Sequence, residues 1–137
     1  RRIPMPIPDH IDILGHFAQG GQMRLTVSTV IGLSPTEVDL FIFGTKGTLR
    51  ILQTKDTEIE LFAGDKNAKQ LERIMIEPEK KGKWRVEEEF VNAIRGTEEI
   101  THTDFTTAAK YMEWTDAVTI SMQTRELVPL PLSNGML

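Results

Sequence analysis

The chain has 137 residues and a formal net charge of −4, with 39% apolar and 26% charged residues. This size and balance predict one globular domain with a hydrophobic core rather than a disordered chain. The absence of cysteine excludes disulfides, thiolate metal sites and cysteine nucleophiles, and it fits a cytoplasmic protein. Basic residues form no block longer than Lys80-Lys81, which disfavours nucleic-acid binding, and no apolar run approaches the roughly 20 residues that cross a bilayer.

The first residues predict a linker. Pro4, Pro6 and Pro8 recur at every second position, a spacing that no helix accommodates and that suits an extended segment. We therefore expect residues 1–8 to arrive from a missing upstream domain, residues 9–132 to form the domain, and residues 133–137 to be a tail.

Alternating apolar and polar residues predict six strands. They are expected at residues 11–17, 23–31, 38–43, 48–52 and 58–62 and near 73–77, with a polar loop at 64–70. Gly20-Gly21 is expected to form a turn, and the segment from Gly44 to Gly47 is expected to form a hairpin turn that uses glycine at positive φ.

The apolar spacing becomes helical after residue 85. A first helix is expected around Val86–Ile94, with a solvated acidic first turn and Gly96 as a left-handed C-cap. A second helix is expected from an N-cap at Thr103 to about Thr124. Its apolar stripe is predicted to contain Phe105, Ala108, Ala109, Met112, Thr115, Thr119 and Met122, widened by Tyr111 and Val118.

The order of these elements predicts the fold class. Consecutive hairpins followed by two helices indicate an α+β fold: a mostly antiparallel open sheet of about six strands with two helices packed on one face. Residues 127–131 are expected to close the domain as an edge strand, because their prolines remove backbone donors.

Two motifs could carry chemistry, and both have a simpler interpretation. The sequence Gly44-Thr45-Lys46-Gly47-Thr48 has the residue types of a phosphate loop, but its glycines are too close and a strand follows, which favours a hairpin turn. His10, Asp12 and His16 would share a strand face, but the two histidines would lie about 20 Å apart, which disfavours a single metal site.

His102 precedes the long helix. It could act as an acid or base, but a capping or surface histidine is the favoured interpretation.

One face of the predicted sheet is a candidate partner surface. It mixes aromatic, aliphatic and arginine side chains, a composition typical of protein–protein contacts, and two helices would leave it uncovered. The candidate oligomer-interface residues are Leu14, His16, Arg24, Thr26, Ser28, Val30, Phe41, Phe43, Arg50 and Leu52, with His10 and Asp12 on the same face.

Two stretches resemble the C-terminal domain of the Gfo/Idh/MocA oxidoreductases, the glucose–fructose oxidoreductase and inositol dehydrogenase family. The first is Phe41-Ile42-Phe43-Gly44-Thr45-Lys46-Gly47-Thr48-Leu49. The second joins Phe90-Val91-Asn92-Ala93-Ile94-Arg95-Gly96 to Ala117-Val118-Thr119-Ile120-Ser121 and Val128-Pro129-Leu130-Pro131. Arg125 departs from the family, which usually has Gly there, so the resemblance leaves the exact end of the long helix open.

The resemblance implies a two-domain oxidoreductase. An N-terminal Rossmann domain would bind NAD or NADP and supply a catalytic lysine, and this domain would supply substrate contacts and the oligomer interface for a sugar, cyclitol or related polyol. No catalytic, cofactor-binding or metal residue is carried over to this chain, so the fragment is expected to be inactive alone. The alternative is a non-enzymatic binding or scaffold module with the same architecture.

Overall fold

The structure is a computed structural model that describes residues 8–55, 57–101 and 104–132. Nearly all of the expected linker, the whole expected tail, His102 and Thr103 lie outside the described residues. The chain divides into two compact units, one ending at Lys81 and the other beginning at Gly82. The first unit holds the strands, and the second holds both helices.

The α+β class with antiparallel strands is confirmed. Among its described residues the first unit contains six strands, each of which pairs antiparallel with its neighbour. They are β1 His10–His16, β2 Gln22–Ser28, β3 Thr36–Phe43, β4 Gly47–Thr54, β5 Glu60–Asp65 and β6 Glu72–Ile74. The strands do not form one sheet: β1 and β2 form a two-stranded sheet, and β3, β4, β5 and β6 form a four-stranded sheet in that order.

The two-stranded sheet is a hairpin whose turn contains two glycines with positive φ. Gly20 has φ 92° and Gly21 has φ 100°, values that L side chains rarely adopt, and both lie in the turn that the sequence predicted there. One face carries the half-buried side chains of Ile11, Ile13 and Leu25, and the opposite face is exposed along most of its length. The hairpin therefore has one apolar and one mostly polar side.

The turn between β3 and β4 is also a hairpin turn, but the glycines serve a different purpose from the predicted one. Neither Gly44 nor Gly47 has a positive φ. A Cβ added to Gly47 would lie 2.3 Å from the carbonyl oxygen of Gly64 on β5, so the close approach of two strands requires glycine. The Gly44 amide donates to the Gly47 carbonyl at 2.8 Å and closes the turn.

The second unit contains helices α1 Val86–Ile94 and α2 Phe105–Thr124. Gly96 has φ 69°, which confirms the predicted left-handed residue after α1. The N-cap of α2 is Asp104, whose carboxylate accepts a hydrogen bond from the Thr107 amide. Helix α2 ends at Thr124, and Arg125 takes the left-handed conformation with φ 62°.

Most of the predicted apolar stripe of α2 is exposed, and of its nine members Ala108 and Val118 are half-buried. The helix buries Ala117, which is 6% exposed, and half-buries Trp114 and Ser121 on the same side. Phe105, Met112 and Met122 lie on the opposite side and are exposed. Both sides of α2 carry apolar residues, so the hydrophobic pattern alone could not choose between them.

The predicted edge strand at residues 127–131 is absent, and the segment forms no strand. Pro129 and Pro131 lack backbone N–H groups and cannot contribute to a ladder. The end of this segment contacts α2, since the Leu132 amide donates a hydrogen bond to the Glu113 carboxylate at 2.6 Å.

Candidate interaction surface

Nine of the ten candidate interface residues are divided between the two sheets. Leu14, His16, Arg24, Thr26 and Ser28 share one face of the β1–β2 hairpin, since Leu14 pairs with Arg24 and Asp12 with Thr26. Val30 lies beyond the end of β2, so its assignment to a strand face was wrong. Phe41, Phe43, Arg50 and Leu52 share one face of the four-stranded sheet. The prediction of one continuous face on a single sheet is corrected accordingly.

An ion pair across β3 and β4 organises the face of the four-stranded sheet. The Arg50 guanidinium donates from Nε to Asp39 Oδ1 and from Nη2 to Oδ2, each at 2.8 Å. The hydrogen bonds from Arg50 hold the pKa of the Asp39 carboxyl below its usual value, and the same hydrogen bonds raise the pKa of Arg50. This two-point geometry fixes the plane of the guanidinium.

The guanidinium of Arg50 lies over the ring of Phe41, and that ring stacks on the ring of Phe43. Arg50 Cζ is 4.9 Å from the centroid of the Phe41 ring, within range of a cation–π interaction. The rings of Phe41 and Phe43 are stacked, with centroids 5.6 Å apart and planes 4° from parallel. Phe43 is 78% exposed, so the stack ends in an open aromatic surface.

The same face continues over β5 and β6. Phe62 pairs with Arg50 on one side and with Arg73 on the other, and Arg73 forms an ion pair with Glu60 at 2.9 Å. We call this surface the aromatic–arginine face. It comprises Asp39, Phe41, Phe43, Thr48, Arg50, Leu52, Glu60, Phe62, Gly64 and Arg73.

Several members of this face are not among the residues predicted from the sequence. Asp39 follows from the same period-two alternation that selected Phe41 and Phe43, and Phe62 follows from alternation along β5. The Asp39–Arg50 pairing depends on the register between strands, which the alternation of a single strand does not fix.

The exposed face of the hairpin carries a separate polar cluster. The Thr26 hydroxyl donates to Asp12 Oδ1, and this hydrogen bond lowers the pKa of Asp12. His10 Nε2 lies 3.6 Å from Asp12 Oδ2. Within the described part of the chain, no group of three or more His, Cys, Asp or Glu residues is placed to hold a metal ion.

The opposite face of the four-stranded sheet is apolar and open. Leu40, Ile42 and Leu49 lie on it and are each between two-fifths and half exposed. An open groove at its end is lined by the turn from Gly44 to Thr48 and by the segment around Lys69. The turn is followed by a strand, whereas a phosphate loop is followed directly by a helix.

Comparisons with protein-family models, with curated proteins and with solved structures give no match to this chain. The resemblance to the Gfo/Idh/MocA oxidoreductases therefore stays a prediction. Among the described helices, neither has the length and apolar character needed to cross a membrane. The two features that bear on function are the aromatic–arginine face and the open apolar face behind it.

Proposed function

We propose that this chain is the substrate-side and oligomerisation domain of an NAD(P)-dependent oxidoreductase acting on a sugar, a cyclitol or a related polyol. The complete protein would be cytoplasmic and would bind NAD or NADP through an upstream Rossmann domain. On this proposal the chain alone holds no cofactor and is inactive. The oxidoreductase assignment is supported by the sequence resemblance, and the oligomerisation role by the aromatic–arginine face.

The single observation that carries the oligomerisation role is the ordered Phe43–Phe41–Arg50–Asp39 arrangement on an exposed sheet face. Aromatic residues and arginine are the types enriched at the centres of protein interfaces. Their side chains are already fixed by stacking and by the bidentate ion pair. A partner would lose little side-chain entropy on binding such a surface.

The charge on this face favours a second copy of the chain as the partner. The carboxylate of Asp39 is paired with Arg50, and that of Glu60 is paired with Arg73. The face therefore presents no excess of either charge to a polyanionic or polycationic partner. A surface without excess charge meets no electrostatic repulsion from a second copy of itself, which a two-fold symmetric interface of the same patch requires.

Sedimentation velocity over a range of protein concentrations tests the oligomerisation role. We expect the chain to self-associate and Phe43→Ser to weaken that association at least tenfold. Leu33→Ser is the matched control, because Leu33 is 99% exposed in the connection between β2 and β3 and lies on neither strand. Equal effects of the two substitutions, or a monomer at every concentration, would contradict the proposal.

Two further measurements test the enzymatic part. Calorimetric titration of the chain with NAD(H) and NADP(H) is expected to give no heat of binding. Micromolar binding would refute the proposal that the upstream domain alone binds the cofactor. The longer protein, if its upstream residues form a Rossmann domain, is expected to reduce NAD or NADP with a polyol. A longer protein with neither a dinucleotide-binding loop nor this activity would favour the scaffold alternative.

A further inference from the structure

Strand β3 ends the four-stranded sheet and has one free edge. It pairs with β4 on one side, and none of the described strands pairs with the other side. We propose that this edge pairs antiparallel with β3 of a second copy, so that two four-stranded sheets join into one eight-stranded sheet. This inference concerns a strand edge and does not depend on the oxidoreductase assignment or on the aromatic–arginine face as an interface.

The edge lacks most of the features that prevent strand addition. Exposed edges are normally kept short or carry proline or lysine, because their unpaired N–H and C=O groups attract another strand. β3 is eight residues long and contains neither proline nor lysine. The opposite end of the sheet is different, because β6 has only three residues, Glu72–Ile74.

One feature narrows the part of β3 that can pair. The register with β4 shifts between Thr36 and Val38, which places an irregularity at the start of the strand. From Val38 to Phe43 the pairing is regular. The accessible length is therefore about six residues, within the normal range for a strand in a sheet.

The alternation of residues limits the register of the proposed pair. Val38, Leu40 and Ile42 lie on the apolar face, whereas Asp39, Phe41 and Phe43 lie on the other. Directly opposed residues in an antiparallel pair share a face. A pair centred on a residue keeps the apolar faces of both copies together, whereas a pair centred between two residues joins an apolar face to a polar one.

The charged side chains near β3 then decide which residue lies at the centre of the proposed antiparallel pair. A pair centred on Asp39 opposes two carboxylates directly, which is unfavourable. A pair centred on Phe41 brings the two Arg50 guanidinium groups toward each other. A pair centred on Leu40 opposes Asp39 of one copy to Phe41 of the other, whose ring carries the Arg50 cation, so opposite charges approach across the two-fold axis.

The pair centred on Leu40 predicts three contacts. Leu40 faces Leu40, Val38 faces Ile42, and Asp39 faces Phe41. The chain's own β1–β2 hairpin does not pair with the free edge of β3 in this structure, because β1 and β2 form a separate sheet. An unrelated extended peptide could also add to an edge, but it would need the same alternation in the same register, which a second β3 supplies by symmetry.

The absence of cysteine gives a direct test by disulfide formation. Opposed Cα atoms in an antiparallel pair are about 4.5–5.5 Å apart, which a disulfide can bridge. We expect Leu40→Cys to form a disulfide-linked dimer rapidly under mild oxidation, and the equimolar mixture of Val38→Cys and Ile42→Cys to form the mixed dimer. The mixed pair keeps the test available if Leu40→Cys alone disturbs folding.

Leu49→Cys is the matched control. Leu49 lies on the same apolar face with similar exposure, 41% against 46% for Leu40, but on the interior strand β4. Comparable cross-linking of Leu49→Cys would indicate face-to-face contact and would overturn the proposal. An intramolecular disulfide in the double variant Leu25→Cys/Leu40→Cys, with no Leu40→Cys dimer, would show that the chain's own hairpin covers the edge and would also overturn it.

The edge pairing of β3 and the oligomerisation role of the aromatic–arginine face can be tested separately. In the Phe43→Ser background we expect the Leu40→Cys dimer to persist, because Phe43 lies at the end of the proposed pair. A reduction of the larger assembly to a dimer in Phe43→Ser, with retained Leu40→Cys cross-linking in that dimer, supports both proposals. Absence of the Leu40→Cys dimer and of the mixed dimer refutes the edge pairing alone.

Discussion

Asp39 and Arg50 connect two neighbouring strands through a pair of parallel hydrogen bonds, each 2.8 Å long. Their positions are diagonal in the sheet, because Arg50 pairs with Phe41 and Asp39 pairs with Leu52. The carboxylate thus holds the guanidinium in the plane that covers the Phe41 ring. The ion pair and the aromatic stack form one unit, so a change in the charge of Asp39 is expected to alter the whole surface.

The ion pair predicts a pH dependence of stability. The folded state lowers the pKa of Asp39 below its ordinary value of 3.8, so its contribution is complete from about pH 5 upward and is lost as pH falls through the lowered pKa. We expect Asp39→Asn to be less stable than the wild type at pH 7, and the difference to shrink below pH 4. Urea denaturation followed by far-UV circular dichroism between pH 3 and pH 7 measures this.

Glu37→Gln provides the control for that series. Glu37 lies on the same strand, and the described residues include no ion pair with it. Its substitution should leave the stability difference nearly independent of pH. A constant difference between wild type and Asp39→Asn across the pH range would show that the ion pair does not stabilise the folded state.

The contact between Gly47 and Gly64 predicts intolerance of a methyl group. A Cβ on Gly47 would lie 2.3 Å from the Gly64 oxygen and 3.0 Å from Asp65 Cα, both in the backbone, so two strands must move apart. We expect Gly47→Ala to destabilise the first unit by about 1–3 kcal/mol. Gly32→Ala has open space and no positive φ, and we expect it to raise stability by up to about 1 kcal/mol. Similar denaturation midpoints for the two variants would disprove the backbone contact.

Local patterns in the sequence predicted most of the secondary structure. Alternation located all six strands to within a few residues, and helical spacing with Gly96 located α1 almost to its ends. These features depend on residues close together in the chain, whose spacing is visible directly. The division into two sheets depends on pairing between distant strands, and single-strand alternation contains no information about it.

The site was predicted in part for the same reason. Phe41, Phe43, Arg50 and Leu52 were assigned to one face because each strand's alternation was correct. The buried role of Glu89 was missed, because it lies in a run of three glutamates that resembles a solvated helix start. The Thr101 hydroxyl and amide, which lie twelve residues further along the chain, donate to that carboxylate.

The C-cap of α2 predicts a stabilising substitution. Arg125 has φ 62° and its amide donates to the Ser121 carbonyl at 2.8 Å, a geometry that glycine adopts with less strain. We expect Arg125→Gly to raise stability by about 0.5–1 kcal/mol, less a few tenths for the lost cation at the helix end. Arg95→Gly at the C-cap of α1, where φ is −77°, is expected to lower it. The midpoint of thermal denaturation measures both effects. Shifts of the two variants in the same direction would contradict this explanation.

The buried carboxylate of Glu89 predicts the largest loss of stability in the second unit. Glu89 is 1% exposed, and it accepts hydrogen bonds from the Thr101 hydroxyl at 2.8 Å and from the Thr101 amide at 3.2 Å. Glu89→Ala removes the acceptor from these donors and leaves a cavity, and we expect a cost of about 2–3 kcal/mol. Glu89→Gln keeps the shape and one acceptor oxygen and should fall between the wild type and the alanine variant.

Tryptophan fluorescence measures the effect in the correct unit, because Trp84 and Trp114 both lie after Gly82 and are the only tryptophans in the chain. Glu99→Ala is the control, since Glu99 is an exposed acid in the same connection between the helices. Thr101→Val should reproduce part of the Glu89→Ala loss, because it removes the hydroxyl donor but keeps the amide. If Glu89→Ala and Glu99→Ala have the same urea midpoint, the hydrogen bonds from Thr101 contribute nothing to the stability of the helical unit.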